Sequence, residues 1–525
     1  MTPAPRRSDH RALGISLGAD PWRVGRDTDS RHMIRSSRKL FRAFTAFPLL
    51  ATALLLVPAC GHDKPPAGVV DSGGTTVIGT GGAGGQGGQS GVGGAGGAPA
   101  INISCDDLGP EPTVPPACAT LMATKTVGTD GTPVDETVLD TAAIQAAIDA
   151  CPAGQSVRLA SDGDRVAFVS GAMRLRAKVA LWIDAGTTLF ASRNPRDFDL
   201  TPGSGLCGGN GTGNSSCNAL INAAGMDGAA VVGTGTIDGR GGDVVADDTA
   251  TWWELEETYD GQLAAPRLVQ VVGGTNFTLY QVTLRNAPKF HVVLQGTVGF
   301  KVWGITINTP PTAPNTDGVD PSGTKNGVIA YSKITTGDDN VAIKGGAPVD
   351  GLIIAHNHFG SGHGMSIGSE TNGGVKNVRV CDLSLDGTDN GLRIKSDPSR
   401  GGLVQAISYT DVCIRNVRRP LVFDPFYSST TGMLIPNFRD IYVRNVHVLG
   451  GGMLTMRGRD AAHPLGLTLN NVVFDLPPTG TFADANITLG PGPVGVTPAG
   501  TNVTVNQLAP EPAEPRDCTD AFVTF

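Results

Sequence analysis

A degenerate repeat of paired apolar residues constrains the fold of this chain more than any other feature. In each unit one apolar residue is followed by another five positions later, and turns rich in Gly, Asn and Asp separate the units. Successive units begin 23, 29, 25, 24, 29, 34 and 26 residues apart. Strand-like units with periods in this range indicate a solenoid. The pairs are Phe277/Val282, Phe300/Ile305, Ile329/Ile334, Ile354/Phe359, Val378/Leu383, Ile407/Val412, Ile441/Val446 and Leu467/Val472.

We therefore predict an all-β chain that forms a single-stranded right-handed parallel β-helix. Neighbouring coils supply the strand pairing, and alternate residues of each strand enter one continuous core. A β-propeller is the alternative, but its blades need a period of about 40–50 residues. The 73 glycines and the 5% aromatic content suit a turn-rich β-architecture. A formal net charge of −8 argues against nucleic acid as a partner, and a polyanionic substrate would need a local basic patch.

One segment has a helical pattern and predicts an N-terminal capping helix over residues 141–151. Ile144 and Ile148 lie at i and i+4 on one face, and Asp140 or Thr141 can cap the start. We interpret this helix as a lid over one end of the β-helix.

The whole chain divides into three predicted parts. Residues 1–60 are an N-terminal extension and export signal, with translation starting at Met33, because a basic segment precedes a short apolar run. Cys60 follows Val-Pro-Ala and resembles a lipidated cysteine; an ordinary signal peptide is the alternative. Residues 61–104 form a Gly-rich flexible linker, and residues 105–525 form the catalytic β-helix. We expect an outer-membrane or cell-surface lipoprotein, or a secreted protein, that touches the membrane only through this anchor.

The nine cysteines predict disulfides rather than a zinc site, since no Cys-x-x-Cys pair occurs. Cys60 is the odd one out, and the other eight could form four bridges in an exported protein. The sequence does not fix the connectivity. The favoured pairs are Cys118–Cys151, Cys207–Cys217, Cys381–Cys413 and Cys105–Cys518.

Charged residues recur with the same period as the apolar pairs. The steps are 21 residues (317 to 338), 25 (338 to 363) and 30 (363 to 393), so one coil per step would stack the charges on four neighbouring coils. Clustered carboxylates raise one another's pKa, which allows one acid to be protonated while another is ionised. Arg and Lys together form a site for a carboxylate. The residues are Asp317, Asp338, Asp339, His363, Arg393 and Lys395.

Four motifs carry a specific resemblance. Asn315-Thr316-Asp317-Gly318, Gly337-Asp338-Asp339-Asn340, Gly362-His363-Gly364 and Arg393-Ile394-Lys395, in this order and spacing, resemble the family 28 glycoside hydrolases, and among them the bacterial endopolygalacturonases. The similarity extends from about residue 118 to about residue 474, and it implies the same right-handed parallel β-helix.

The resemblance implies hydrolysis of α-1,4-galacturonosidic bonds in pectin or polygalacturonate, endo-acting and with inversion, by a monomer without cofactor or metal ion. Inversion predicts a carboxyl separation of about 6.5–9.5 Å, because water must fit between acid and base. The implied roles are Asp338 as general acid, Asp317 and Asp339 as the pair that holds and deprotonates water, His363 as the residue that tunes the acid, Arg393 and Lys395 as the carboxylate clamp, and Tyr427 as a substrate contact.

Several alternatives remain open at this stage. The activity could be that of an exo-polygalacturonase or a rhamnogalacturonan hydrolase, of a calcium-dependent pectate lyase, or of a non-catalytic sugar-binding β-helix. Lys344 could face the cleft or solvent. Trp252 and Trp253 could form a sugar platform or the core of a loop. Asp320-Pro321 reads as an ordinary turn.

Overall fold

A computed structural model describes residues 106–210 and 216–524 as thirty mainly parallel strands with few helices. The predicted export signal, Met33, Cys60 and the Gly-rich linker lie outside the described residues. In chain order the strands are β1 (Ala117–Met122), β2 (Gln155–Ala160), β3 (Ala167–Ser170), β4 (Met173–Arg174), β5 (Val179–Ile183), β6 (Thr188–Ala191), β7 (Ile221–Ala224), β8 (Ala230–Val232), β9 (Thr236–Asp238), β10 (Val269–Val272), β11 (Thr278–Tyr280), β12 (Thr283–Arg285), β13 (Val292–Gln295), β14 (Lys301–Trp303), β15 (Thr306–Asn308), β16 (Val319–Ser322), β17 (Lys325–Ala330), β18 (Lys333–Thr335), β19 (Val341–Ile343), β20 (Val349–Phe359), β21 (Met365–Ile367), β22 (Val375–Asp386), β23 (Asn390–Lys395), β24 (Leu403–Arg415), β25 (Arg419–Asp424), β26 (Asn437–Leu449), β27 (Met453–Arg457), β28 (Leu465–Phe474), β29 (Thr479–Leu489) and β30 (Gly500–Gln507).

The strands stack into three faces of one coil, as the repeat predicted. Sheet A contains β4, β7, β10, β13, β16, β19, β21, β23, β25, β27 and β29 in that order, and every pairing is parallel. Sheet B runs from β1 and β2 through β5, β8, β11, β14 and β17 to the long strands β20, β22, β24, β26 and β28, and it ends with the second half of β29 and with β30. Sheet C contains β3, β6, β9, β12, β15 and β18, and then merges with the second half of β20. Each chain segment therefore pairs with the coil before and the coil after it.

The apolar pairs of the repeat are the core, and the bend between their members explains the spacing of five. All sixteen of these side chains are at most 3% exposed. Between the two members of a pair lies a residue with positive φ, for example Gln281 at 63°, Asp382 at 48° and Asn445 at 53°. Asn and Asp tolerate this left-handed conformation better than most residues. The bend turns sheet B into sheet C without interrupting the core.

The helix predicted over 141–151 is present as α1, Thr141–Ala150, with Ile144 and Ile148 buried against the first coils. Its capping differs from the expectation. Asp140 occupies the N-cap position, but its carboxylate does not bond the helix: it accepts from Lys125 Nζ at 3.0 Å and from the backbone N–H of Val169 at 2.8 Å. The acid instead ties the helix start to the neighbouring strand.

The two tryptophans lie in a second helix, α2 (Trp252–Thr258), and they belong to the core of a loop. Trp252 is fully buried, and Trp253 donates from Nε1 to the carbonyl of Ala287 at 3.0 Å. A short 3-10 helix spans Pro195–Phe198. In the described ranges no helix has the length and apolar character needed to cross a bilayer.

Two of the predicted disulfides, Cys118–Cys151 and Cys207–Cys217, are confirmed, and two are wrong. Cys413 pairs with Cys518 rather than with Cys381, which excludes both Cys381–Cys413 and Cys105–Cys518. The register explains the first error, because Cys413 lies opposite Ser384 and the disulfide-bonded Cys381 lies opposite Thr410.

The C-terminal tail explains the second error. It runs back along the bends of sheet B, where Glu514 O accepts from Asn471 and Arg516 donates to Asp382. This path carries Cys518 to Cys413. Nothing in the residue spacing indicates it, since the tail belongs to no repeat unit.

Candidate active site

The acids and the imidazole stand in the turns that lead into sheet A. Asp317 precedes β16, Asp338 and Asp339 precede β19, and His363 precedes β21. Val319, Val341 and Met365 are aligned in the strand register, so the residues two positions before them, Asp317, Asp339 and His363, occupy equivalent places in three successive coils. The periodic spacing in the sequence thus becomes a stack with a strand spacing of about 4.8 Å.

The turn around the two adjacent aspartates is held by motif residues to which the sequence analysis assigned no role. Asn340 donates from Nδ2 to the carbonyls of Ile334 at 2.9 Å and Ser361 at 3.0 Å, and its Oδ1 accepts from the N–H of Gly364 at 2.8 Å. Gly337 has no room for a side chain, because a Cβ there would lie 2.0 Å from the carbonyl oxygen of Ala313. Asn340 therefore fixes the turn against the next coil, and Gly337 lets it pack closely.

Asp339 is the most strongly bonded acid of the site. Its Oδ2 accepts from Lys395 Nζ at 2.8 Å, and its Oδ1 accepts from Ser366 Oγ at 2.8 Å and from the guanidinium of Arg393. Burial by itself raises the pKa of this carboxyl, but the charges of Lys395 and Arg393 outweigh burial and hold the pKa well below its usual range. Asp339 is therefore ionised at any working pH.

Arg393 and Lys395 share one face of β23 while Ile394 enters the core, as the i, i+2 spacing predicted. Both cations are only 6% exposed. They already neutralise Asp339, so a substrate carboxylate would meet them from the solvent side. Tyr427 lies beside them, with Lys395 Nζ 4.9 Å and Arg393 Cζ 6.0 Å from the centroid of its ring. Its side chain is 46% exposed and faces the same opening as the cations.

Asp338 and His363 form a second pair. His363 Nδ1 lies 3.0 Å from Asp338 Oδ1, and its Nε2 lies 3.3 Å from the exposed Asp389. Burial opposes the charge on Asp338, but the hydrogen bond from His363 lowers the pKa of this acid. The same bond outweighs burial for the imidazole and raises the pKa of His363. The proton of this pair therefore rests on His363, and Asp338 is ionised beside it.

Asp317 belongs to a third cluster, with Lys344 and Asp320. Lys344 Nζ lies 3.2 Å from Asp317 Oδ2 and 3.9 Å from Asp320 Oδ2, so Lys344 faces the site rather than solvent. Burial and the neighbouring charge of Asp338 raise the pKa of Asp317 to about 6. The interpretation of Asp320 as part of an ordinary turn is wrong: Asp320 lies in β16 and is 2% exposed, and burial together with the charge of Asp317 raises its pKa.

The predicted distance between carboxyl groups does not hold for every pair of acids. Oxygens of Asp338 and Asp339 and a ring nitrogen of His363 all lie within 4.8 Å of one another, which is shorter than the expected separation of about 6.5–9.5 Å between acid and base. These three groups could in principle surround a metal ion. Because both oxygens of Asp339 already accept from cations or a hydroxyl, the site favours an ionised, protein-paired carboxylate over a metal ligand.

Comparison with known proteins agrees with this geometry. The sequence profile of glycosyl hydrolases family 28 matches residues 199–475. A polygalacturonase of Ralstonia nicotianae is 46% identical, covering 79% of this chain and 91% of that protein, and an endo-polygalacturonase of Pectobacterium parmentieri is 42% identical, covering 72% and 91%. The solved polygalacturonase from Erwinia carotovora ssp. carotovora is 37% identical, with a TM-score of 0.63, covering 77% of this chain and 98% of that one.

These similarities identify the class of protein as a glycoside hydrolase built on the right-handed parallel β-helix. The chain belongs to glycosyl hydrolases family 28.

The different surroundings of Asp339 and Asp317 predict that replacing each of them with Asn changes the stability of the protein differently. At pH 7, Asp339→Asn leaves two buried cations without their carboxylate, and we expect the free energy of unfolding to fall by about 3–5 kcal/mol. For Asp317, the raised folded-state pKa means that the native protein loses stability as the pH rises from about 4 to about 6. Asp317→Asn removes this loss, so it should leave stability unchanged or increase it at pH 7. Urea unfolding of both variants measures the difference, and equal destabilisation would contradict the electrostatic description.

Proposed function

We propose that this chain is an endo-acting polygalacturonase that hydrolyses the α-1,4-galacturonosidic bonds of de-esterified pectin with inversion. The observation that carries the proposal is the position of Arg393 and Lys395, which lie two coils from Asp338 and Asp339, three coils from Asp317, and beside Tyr427. A substrate with a carboxylate next to its scissile bond matches this arrangement. The names of the relatives that are 46% and 42% identical support the same substrate and, for the second, the endo mode.

Asp338 is the general acid in this proposal. It is half-buried, and its partner His363, 3.0 Å away, carries the proton of the pair. His363 passes this proton to Asp338, and Asp338 gives it to the glycosidic oxygen. Proton transfer to a leaving group by a positioned acid contributes a factor of about 10²–10⁴ to the rate. His363 is in turn within reach of Asp389, which faces solvent and offers a route for the imidazole to recover its proton.

Asp317 and Asp339 hold the attacking water in this proposal, and the proton passes to Asp317. Asp339 cannot act as an efficient base, because its two cations keep it fully ionised and weakly basic. Asp317 has a pKa of about 6, close to the value that suits a general base. Water attacking from the face opposite the leaving group gives inversion at the anomeric carbon.

The first test is reducing-end release from polygalacturonate by the wild type and by Asp338→Asn. We expect the variant to lose at least a factor of about 10² in kcat, because amide cannot supply a proton. Asp350→Asn, which changes an acid on sheet B paired with Lys376, is the matched control and should retain full activity. An unchanged rate in Asp338→Asn would refute the assignment of the acid.

The products of the same assay separate the rival activities. A mixture of long oligomers in the first minutes supports endo action, whereas monomer from the start indicates an exo-polygalacturonase. Products that absorb in the ultraviolet would indicate a lyase.

The pH dependence of kcat/KM tests the base. The rate should rise as Asp317 loses its proton near pH 6, and it should fall at a pH above the usual range of histidine, where His363 loses its proton. Lys344 lowers the pKa of Asp317, so Lys344→Met should move the rising limb to higher pH. Lys376→Met, an exposed lysine on sheet B, should leave the limb in place. A rising limb that stays fixed or moves to lower pH in Lys344→Met would exclude Asp317 as the titrating base.

The relatives in bacteria and the disulfides indicate an exported protein. We further propose that Cys60 is the lipidated residue, that residues 61–104 tether the anchor to the catalytic domain, and that this domain acts as a monomer. Cys60→Ser should move the enzyme from the membrane fraction to the soluble fraction, where light scattering should give the monomer mass. An unchanged distribution would contradict the anchor, and a dimer mass would contradict the monomer.

A further inference from the structure

A second cationic cluster lies on sheet A beyond the site already described. Phe426 stands between two guanidinium groups: Arg457 Cζ is 5.0 Å and Arg459 Cζ is 5.1 Å from the centroid of its ring. All three side chains are half-buried. An aromatic face attracts a guanidinium, so the ring holds both cations in fixed orientations. Two like charges gathered around one ring favour an anion that approaches from solvent.

The two arginines differ in what neutralises them. Arg457 donates from Nε to Asp424 Oδ1 at 2.9 Å and forms a salt bridge with the same oxygen at 2.8 Å. Arg459 forms no salt bridge with any acid in residues 106–210 or 216–524. The turn that carries it is well defined, because the backbone of Arg459 donates to His463 O at 3.0 Å and Gly458 donates to Ala483 O at 3.0 Å. One rigidly presented guanidinium is therefore free to bind an anion.

The strand register places this cluster in line with the clamp at Lys395. Lys395 is aligned with Asp424 on β25, and the pairs Val422–Thr455 and Phe423–Met456 continue the alignment to Arg457 on β27. Arg457 thus lies two strands beyond Lys395, about 10 Å along the stacking direction. The buried Ile394 and Met456 show that Lys395 and Arg457 project from the same outer face.

A galacturonan chain that follows the stacking direction would pass over both places. Each sugar unit carries a carboxylate, and one 1→4-linked pyranose is about as long as one strand spacing. A chain with one carboxylate at Lys395 therefore brings the carboxylate of the second unit beyond it to the level of Arg457. A guanidinium can bind such a carboxylate by donating two parallel hydrogen bonds to it.

We propose that Phe426, Arg457 and Arg459 form a further carboxylate-binding subsite, which holds a galacturonate unit two residues beyond the one at Lys395. The proposal rests on the polygalacturonase activity proposed above. Arg459 supplies the charge that binds the substrate, and Phe426 and Arg457 orient it. Because of this subsite, the affinity of the enzyme for its substrate depends on chain length. The subsite also favours substrates in which the galacturonate unit that it holds is not esterified.

The test uses oligogalacturonates of two to seven units with the full enzyme and with Arg459→Ala. We expect Arg459→Ala to raise KM about five- to tenfold for oligomers long enough to reach the subsite, as for the loss of one half-exposed charge-assisted contact. KM for the shortest substrates that are cleaved, and kcat for all of them, should not change. Arg459→Lys should recover part of the affinity. Arg439→Ala is the matched control, since Arg439 is exposed on sheet B and bonds Gln405.

The outcomes separate the subsite from the activity on which it rests. If the wild-type enzyme releases no reducing ends from any oligomer, the proposed function fails. If the wild type is active and Arg459→Ala shows the wild-type dependence of KM on length, the subsite is refuted. An equal rise in KM at every length also refutes it, because that result reports a general disturbance of the cleft. Thermal unfolding at the wild-type temperature would show that Arg459→Ala is folded.

Discussion

The paired charges of Asp339, Arg393 and Lys395 are the interaction on which the rest of the site depends. A carboxylate that is 1% exposed would ordinarily take up a proton, and two cations that are 6% exposed would be costly without a partner. The β-helix brings them together because residues 54 and 56 positions apart in sequence lie only two coils apart on one sheet. Once Asp339 is neutralised, the other acids beside it can occupy the same small volume.

The surroundings of the three acids then give them different protonation states. Asp339 is bound to two cations and stays ionised, Asp338 is ionised beside a protonated His363, and the buried Asp317 has a pKa of about 6. The residues are of one chemical type, and only their surroundings differ. This is how a single fold can place an acid and a base in one site at the same pH.

Much of the fold could be predicted from the sequence, because the repeated apolar pair determines which residues each coil buries. The pairs spaced by five predict both the core positions and the bend, and the acid motifs carry the same period, so their stacking follows as well. Features that depend on partners outside the repeat were not predictable. The carboxylate of Asp140 bonds Lys125 rather than capping its helix, and Cys413 pairs with Cys518 because the tail crosses sheet B.

The errors within the site have a similar cause. Asp320 reads as a turn residue from its neighbour Pro321, yet it is buried under Lys344, and only the register of β16 reveals this. The close approach of Asp338 and Asp339 also departs from the separation expected for an inverting enzyme, because this turn brings both carboxylates and the His363 ring within 4.8 Å of one another.

The central claim is that the three acids have different pKa values. A carboxyl titration by nuclear magnetic resonance tests it directly. With aspartate labelled at its carboxyl carbon, the Asp317 signal should move with a midpoint near pH 6, and the Asp339 signal should stay at its ionised position throughout the range in which the protein is folded. A midpoint for Asp339 at or above that of Asp317 would contradict the account.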